Sequence, residues 1–288
     1  MSAANAPGSQ RSRPRFDYTT VGHVTIDILE DGSRRPGGGA FYSALQAARL
    51  GQRTLILTRG NPAELDELLA PYRKELELRV LPAEHTTMLL TSGMGAKRKQ
   101  RMLAWAGPIV ETLEVDTSIL HLAAVARETP ARWSGRADFV GITPQGLLRE
   151  WSEGGEVSLT QLDPRTLPEH VDALVLSDRE RACCEELLAT HRSSEAASAI
   201  AVTAGSAPTE LLLPGETVER VPVAPRAEPR DDLGAGDVFA AAFFIALRDG
   251  RPPADAAAYG NAAAAVRIAG EGAQAIGDAP AIAGALGG

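Results

Sequence analysis

The chain has 288 residues, 44% of them hydrophobic and 23% charged, enough for one large α/β domain or two small ones without a metal or disulfide staple. A formal net charge of −8 argues against a nucleic-acid partner, which demands clustered Lys and Arg, and no apolar run approaches the length of a membrane span. Two adjacent cysteines, Cys183 and Cys184, and five scattered histidines suggest neither a disulfide framework nor a zinc site.

Residues 1–15 hold Arg, Ser and Pro but no apolar core of a secretory signal, so they read as a disordered tail. A cytoplasmic setting follows as the expectation. Phe16 opens a strand that runs to a glycine-containing turn near Gly22, and residues 40–50 have helical spacing closed by Gly51. Further strands are expected at 54–58, 78–81, 118–123, 138–143, 172–177 and 199–203, with an edge pair from Glu210 to Val223. Helices are expected at 146–152, 178–190, 235–248 and 254–269. Strands alternating with helices predict βαβ units and a mostly parallel sheet covered on both faces. Residues 86–106 break the alternation and read as a β-hairpin inserted into that frame. One domain over 16–288 is the simplest account.

The strongest chemical signal is DDLGAGDVFAAAFFIAL, from Asp231 to Leu247. Gly234, Ala235 and Gly236 carry almost no side chain and run straight into a helical pattern. Such a turn leaves backbone N–H groups open at a helix N-terminus, where the dipole favours anions. Asp237 stands at the same mouth and could take a proton from an incoming hydroxyl. A plain glycine turn with a capping Asp reads the same letters.

Here the chain resembles the ribokinase-like, or PfkB-type, carbohydrate kinases. Asp231, Gly234, Ala235, Gly236 and Asp237 match their C-terminal signature, and Leu233 replaces its second Thr. GGGAFYSALQAARLG, from Gly37 to Gly51, resembles their double-glycine motif, and Gly22 with Asp27 meets the Gly-x-x-x-x-Asp of strand one. The order of elements matches from about Phe16 to Gly277. The resemblance implies a ribokinase-like three-layer α/β sandwich with a mostly parallel central sheet and a small β-hairpin lid.

It also implies roles. Asp237 becomes the base, with residues 234–236 holding the transferred group. Asp27, Gly37, Gly38 and Gly39 become acceptor contacts, although Asp27 alone could be a turn residue. Thr203 and Gly205, with Asn261 in the last long helix, fall where the family binds its nucleotide. Pro208 stands where a further glycine is usual, and Asn261 could equally be a helix-surface amide. Ser177 to Glu180 occupy the place of an Asn-x-x-Glu motif, which would set Glu180 near Mg²⁺ through water; alone, they read as a Ser cap with an acidic first turn. GITPQGLLREW, with Gln145, Gly146 and Arg149, and the RKQR of the hairpin resemble inositol-kinase-like members. Lys97, Arg98, Lys99 and Arg101 could hold a phosphate or simply face water.

The implied activity is ATP- and Mg²⁺-dependent phosphorylation of a hydroxyl on a sugar or cyclitol, a myo-inositol-like acceptor being favoured. A nucleoside kinase and a non-catalytic ligand-binding relative are the alternatives. Only nine residues separate Asp27 from Gly37, a loop reaching out and back about 15 Å at roughly 3.3 Å per residue. That spacing predicts that the lid comes mainly from residues 86–106, is mobile without ligand, and is too small to support a dimer, so a monomer is expected.

Overall fold

The computed structural model describes residues 14–130, 132–193, 199–215, 217–223 and 228–287. Most of the expected tail, residues 1–13, lies outside them. The chain runs β1 (Phe16–Val21), β2 (Thr25–Ile28), β3 (Arg34–Gly37), α1 (Gly39–Arg49), β4 (Thr54–Gly60), α2 (Pro62–Leu69) and β5 (Glu77–Pro82). Next come β6 (Met88–Ser92), β7 (Lys99–Ala104), β8 (Leu113–Ala123), β9 (Trp133–Thr143), β10 (Arg149–Trp151), β11 (Val157–Leu159) and β12 (Ala173–Ser177). The rest is α3 (Asp178–Arg181), α4 (Glu185–Ser193), β13 (Ala199–Ala204), β14 (Ala207–Leu213), β15 (Thr217–Val221), α5 (Ala235–Arg248), α6 (Pro253–Ile268) and α7 (Ala279–Gly287).

Nine strands form one sheet in the order β15-β14-β13-β12-β9-β8-β1-β4-β5, parallel except for the antiparallel edge pair β14 and β15. Strands buried on both faces need continuous apolar runs, and β8 and β12 supply them. Alternate residues serve opposite faces. Ile119 packs under α1 and α5, whereas Leu120 and Leu122 join Ile142 and Ile109 on the other side. The first face is the larger core, closed by α1, α2, α5, α6 and α7 through Phe41, Phe239, Phe243 and Phe244. The second is covered by α4 and irregular chain, with Leu148, Leu162 and Leu188 against Leu174 and Ile200.

From β1 the chain moves outward to β4 and β5, then returns to β8 on the opposite side of β1. That reversal opens a crevice beyond the C-terminal ends of β1 and β8, the usual ligand position in open α/β sheets. Over the crevice stands a second sheet, β3-β2-β6-β7. Among the described residues, no helix is long and apolar enough to cross a membrane.

The lid therefore differs from the sequence expectation. Strand one ends at Val21, and Asp27 lies in β2, which turns back as β3 and also pairs in parallel with β6. Counting from Asp27 missed that this second hairpin begins at Thr25 and ends at Gly37 itself. Two four-residue strands fit the space, and the neighbouring hairpin completes the sheet. A four-stranded lid also removes the premise of smallness behind the expected monomer.

Two helices differ as well. Residues 146–152 form a 3₁₀ turn over Pro144–Leu148 followed by β10, because Gly146 lies against the Ala124–Val125 backbone and Arg149 to Trp151 pair with β11. The helix expected at 178–190 breaks between α3 and α4, where the Cys183 carbonyl turns aside to accept from the Leu162 amide at 2.8 Å.

Candidate active site

The glycine run after β3 sits between two carboxylates. A Cβ on Gly37 would stand 2.2 Å from Asp27 Oδ2, and one on Gly39 would stand 2.8 Å from Asp237 Oδ1. Side chains at either position would displace an acid, so glycine permits the approach of both. Gly38 caps α1 and lines the cleft between them. Asp27 is buried in the lid sheet and accepts from the Thr25 hydroxyl at 2.8 Å. Burial raises its pKa above the ordinary carboxylate value, against the opposing pull of Thr25 and of Arg35, Arg149 and Arg98.

Asp237 lies in the first turn of α5, partly exposed at the floor of the cleft. Burial from bulk water pushes its pKa up to about 7; the Arg149 charge opposes the rise, while Glu180 and Asp27 add to it. Gly234 makes this helix start possible: its φ is +75°, and a Cβ there would meet the Tyr42 ring at 2.2 Å. The Ala235 amide donates to the Asp232 carbonyl at 3.3 Å. Among the described residues the amides of Gly234, Gly236 and Asp237 have no partner, so of residues 234–236 only Ala235 has its donor engaged.

The loop before this helix is held by charge. Asp231 accepts from Arg35 at 3.0 Å, from the fully buried Arg267 at 2.9 Å, and from the Leu233 and Gly272 amides at 3.0 and 2.9 Å. Burial alone would raise its pKa, but these donors overcome it and bring it down to about 2. Asp232 pairs with Arg98 at the lid tip and accepts from the Gly95 amide at 2.8 Å. Two lid arginines thus grip two adjacent aspartates, and the lid is closed. Of the hairpin's basic run, Arg98 points inward, whereas Lys97, Lys99 and Arg101 are exposed.

The cleft also gathers Gln145, Thr203, Ser177 and Glu180. Ser177 and Glu180 form a capping box at the start of α3, with Glu180 Oε2 accepting from the Ser177 amide at 2.8 Å. Glu180 is buried but faces the cleft. Among the described residues no three acidic, Cys or His side chains cluster as a metal site. One acid with an uncommitted oxygen suits a magnesium shell completed by water and phosphate.

Two residues expected at the nucleotide fall elsewhere. Asn261 is buried away from the cleft, accepting from Thr209 at 2.8 Å and donating to the Pro222 carbonyl at 3.0 Å. Both ends of its amide fasten α6 to the sheet edge. Gly205 occupies the turn between β13 and β14, outside the cleft lining. Sequence reasoning missed Glu128, a buried carboxylate that accepts from the His23, Val125 and Ala126 amides at 2.7, 2.7 and 2.5 Å. It fixes the loop that carries Val125 into the cleft. Nothing in the sequence around Glu128 marks it.

Residues 143–280 match the family model described as pfkB family carbohydrate kinase. This stretch, 138 of the 288 residues, is what the chain shares with that family. Among solved structures the chain is similar to a nucleoside kinase of Methanocaldococcus jannaschii, with TM-score 0.74 and 18% identity over 96% of this chain and 99% of that one. It is similar to a ribokinase of Arabidopsis thaliana complexed with ribose and ATP, at TM-score 0.70, 17% identity, and 96% and 99% coverage. A pyrophosphate-dependent kinase of the ribokinase family, complexed with a pyrophosphate analogue and myo-inositol, matches at TM-score 0.69 and 19% identity, covering 88% of this chain and 96% of that chain. At these identities the likeness carries the fold. No curated protein matches the chain.

Proposed function

We propose that this kinase transfers a phosphoryl group from ATP to a hydroxyl of a sugar or cyclitol, with a myo-inositol-like acceptor. A cytoplasmic setting is part of the same proposal. The observation that carries it is the placement of two carboxylates, Asp27 and Asp237, on either side of the glycine run and beside two open helix-terminal amides. Asp27 and Gln145 bind acceptor hydroxyls. Asp237 takes the proton of the attacking hydroxyl, and a pKa near 7 suits a base working at neutral pH. The amides of Gly236 and Asp237 hold the oxygens of the transferring group, where preorganised donors contribute most. Mg²⁺, when bound, neutralises donor phosphate charge, and Glu180 would hold it through water.

Among the described residues Tyr42 is the only aromatic one lining the cleft, and its ring lies against Gly234, which favours a polyol over a stacked nucleoside base. A binding protein without catalysis has no use for an acid raised to about 7 beside open amides. A second reading concerns the donor. With the Asn261 amide engaged by Thr209 and Pro222, pyrophosphate becomes a candidate in place of a nucleotide, in line with the pyrophosphate-dependent relative. The deciding experiment is a phosphate-transfer screen with ATP or pyrophosphate, plus Mg²⁺, across sugars, inositols and nucleosides. Transfer to an inositol or sugar is expected; transfer to nucleosides alone, or to nothing, overturns the reading.

A further inference from the structure

Arg149 opens β10 and sends its side chain back beneath the lid. Nη1 donates to the Val125 carbonyl at 3.0 Å and Nη2 to Gln100 Oε1 at 2.8 Å. The residue is only 8% exposed, yet it lines the same cleft as Gly236, Asp237 and Glu180. Both of its acceptors are neutral. Among the described residues no carboxylate lies within ion-pair distance of it. Three arginines around the same cleft do have one: Arg98 takes Asp232, while Arg35 and Arg267 take Asp231.

A buried guanidinium without an anion is unfavourable, since desolvation is not repaid by a partner. Burial lowers the pKa of Arg149, and the charges of Glu180, Asp237, Asp27 and Glu128 restore part of it from a distance. Two of its five N–H donors are engaged, which leaves a planar fork with donors to offer a visiting anion. That anion has to leave again after each turnover, as a phosphate does. Its position fits, for Arg149 shares the cleft with the acceptor-side acid Asp27, the base Asp237 and the donor-side acid Glu180.

We propose that Arg149 is a catalytic residue that clamps the phosphoryl group in flight, together with the amides of Gly236 and Asp237. In the step itself the acceptor O–H gives its proton to Asp237, the new O–P bond forms, and the bridging P–O bond of the donor breaks. Arg149 exchanges no proton; it neutralises the oxygens of the moving group. Its bond to Gln100 of β7 ties the clamp to the lid, so the guanidinium is oriented when the lid is down.

This inference rests on the kinase reading, and the test separates the two. Arg149→Met and Arg149→Lys are made in the full chain and checked by thermal unfolding. Calorimetry with inorganic pyrophosphate and Mg²⁺ should show binding to the wild type, weakened at least about tenfold in Arg149→Met and less in Arg149→Lys. With the acceptor found in the screen, kcat should fall about 10²-fold or more, with KM for acceptor changed little. Added guanidinium should restore part of the Arg149→Met turnover, which a purely structural strut would not allow. Wild-type pyrophosphate affinity in the folded variants, or lost turnover with unchanged affinity and no rescue, overturns the proposal. A wild type that phosphorylates nothing overturns the function reading, and the calorimetry still decides the role of Arg149.

Discussion

Asp231 and Asp237 belong to the same short signature and are both drawn out of water, yet the fold moves their pKa values in opposite directions. Asp231 is surrounded by donors, including Arg35, Arg267 and two backbone amides, and is held down to about 2. Asp237 has no ion-pair partner among the described residues, faces the cleft, and is pushed up to about 7. Satisfied acids fasten a loop, whereas an acid left short of donors is ready to accept a proton. The first therefore positions the glycine turn on which the second depends. Placement within one motif does not assign these roles; the donors around each carboxylate do.

Substitutions can break that division of labour. Asp237→Asn keeps the shape and removes the proposed base, so turnover should fall about 10²–10⁴-fold while thermal unfolding is unharmed. Asp231→Ala should act on stability first. It strands Arg267, which is fully buried, and removing one partner of a buried pair costs about 3–5 kcal/mol, readable from urea unfolding. If Asp231→Ala were as stable as the wild type and merely inactive, the contrast between the two acids would be wrong. Gly39→Ala sharpens it further. The added methyl meets the Asp237 carboxylate at 2.8 Å and the buried Ala123 less closely, at 3.3 Å, so kcat should drop about tenfold or more with a smaller loss in the unfolding midpoint.

Much of the fold was legible because its signals are local. The short apolar strands of the main sheet and the uninterrupted run from Ala235 to Arg248 carry their own periodicity. The lid was less so. β2 and β3 have four residues each, RRPG shows no alternation, and their pairing with β6 is decided by chain far away in sequence. Leu147 and Leu148 resemble one side of a helix, but the close approach of Gly146 to Ala124 bends that stretch into a 3₁₀ turn. Within the site, the glycine run brings Asp27 and Asp237 to its two sides, through Gly37 and Gly39. Asn261 did not follow its motif position because its amide partners, Thr209 and Pro222, lie on the sheet edge and its approach. Arg149 was visible as a letter in a pattern. Its lack of an acidic partner became visible only when Val125 and Gln100 were brought to it.

The central claim is that Asp237 works as a base because the cleft withholds proton donors from it. The pH dependence of kcat/KM for acceptor phosphorylation tests this most directly, since it reports the ionisation of the free enzyme. Activity requires the deprotonated acid, and its folded pKa is raised to about 7, so kcat/KM should fall roughly tenfold per pH unit below about pH 7. Above that pH it should level off. A profile that stays flat down to the ordinary carboxylate range near pH 4 would contradict the account.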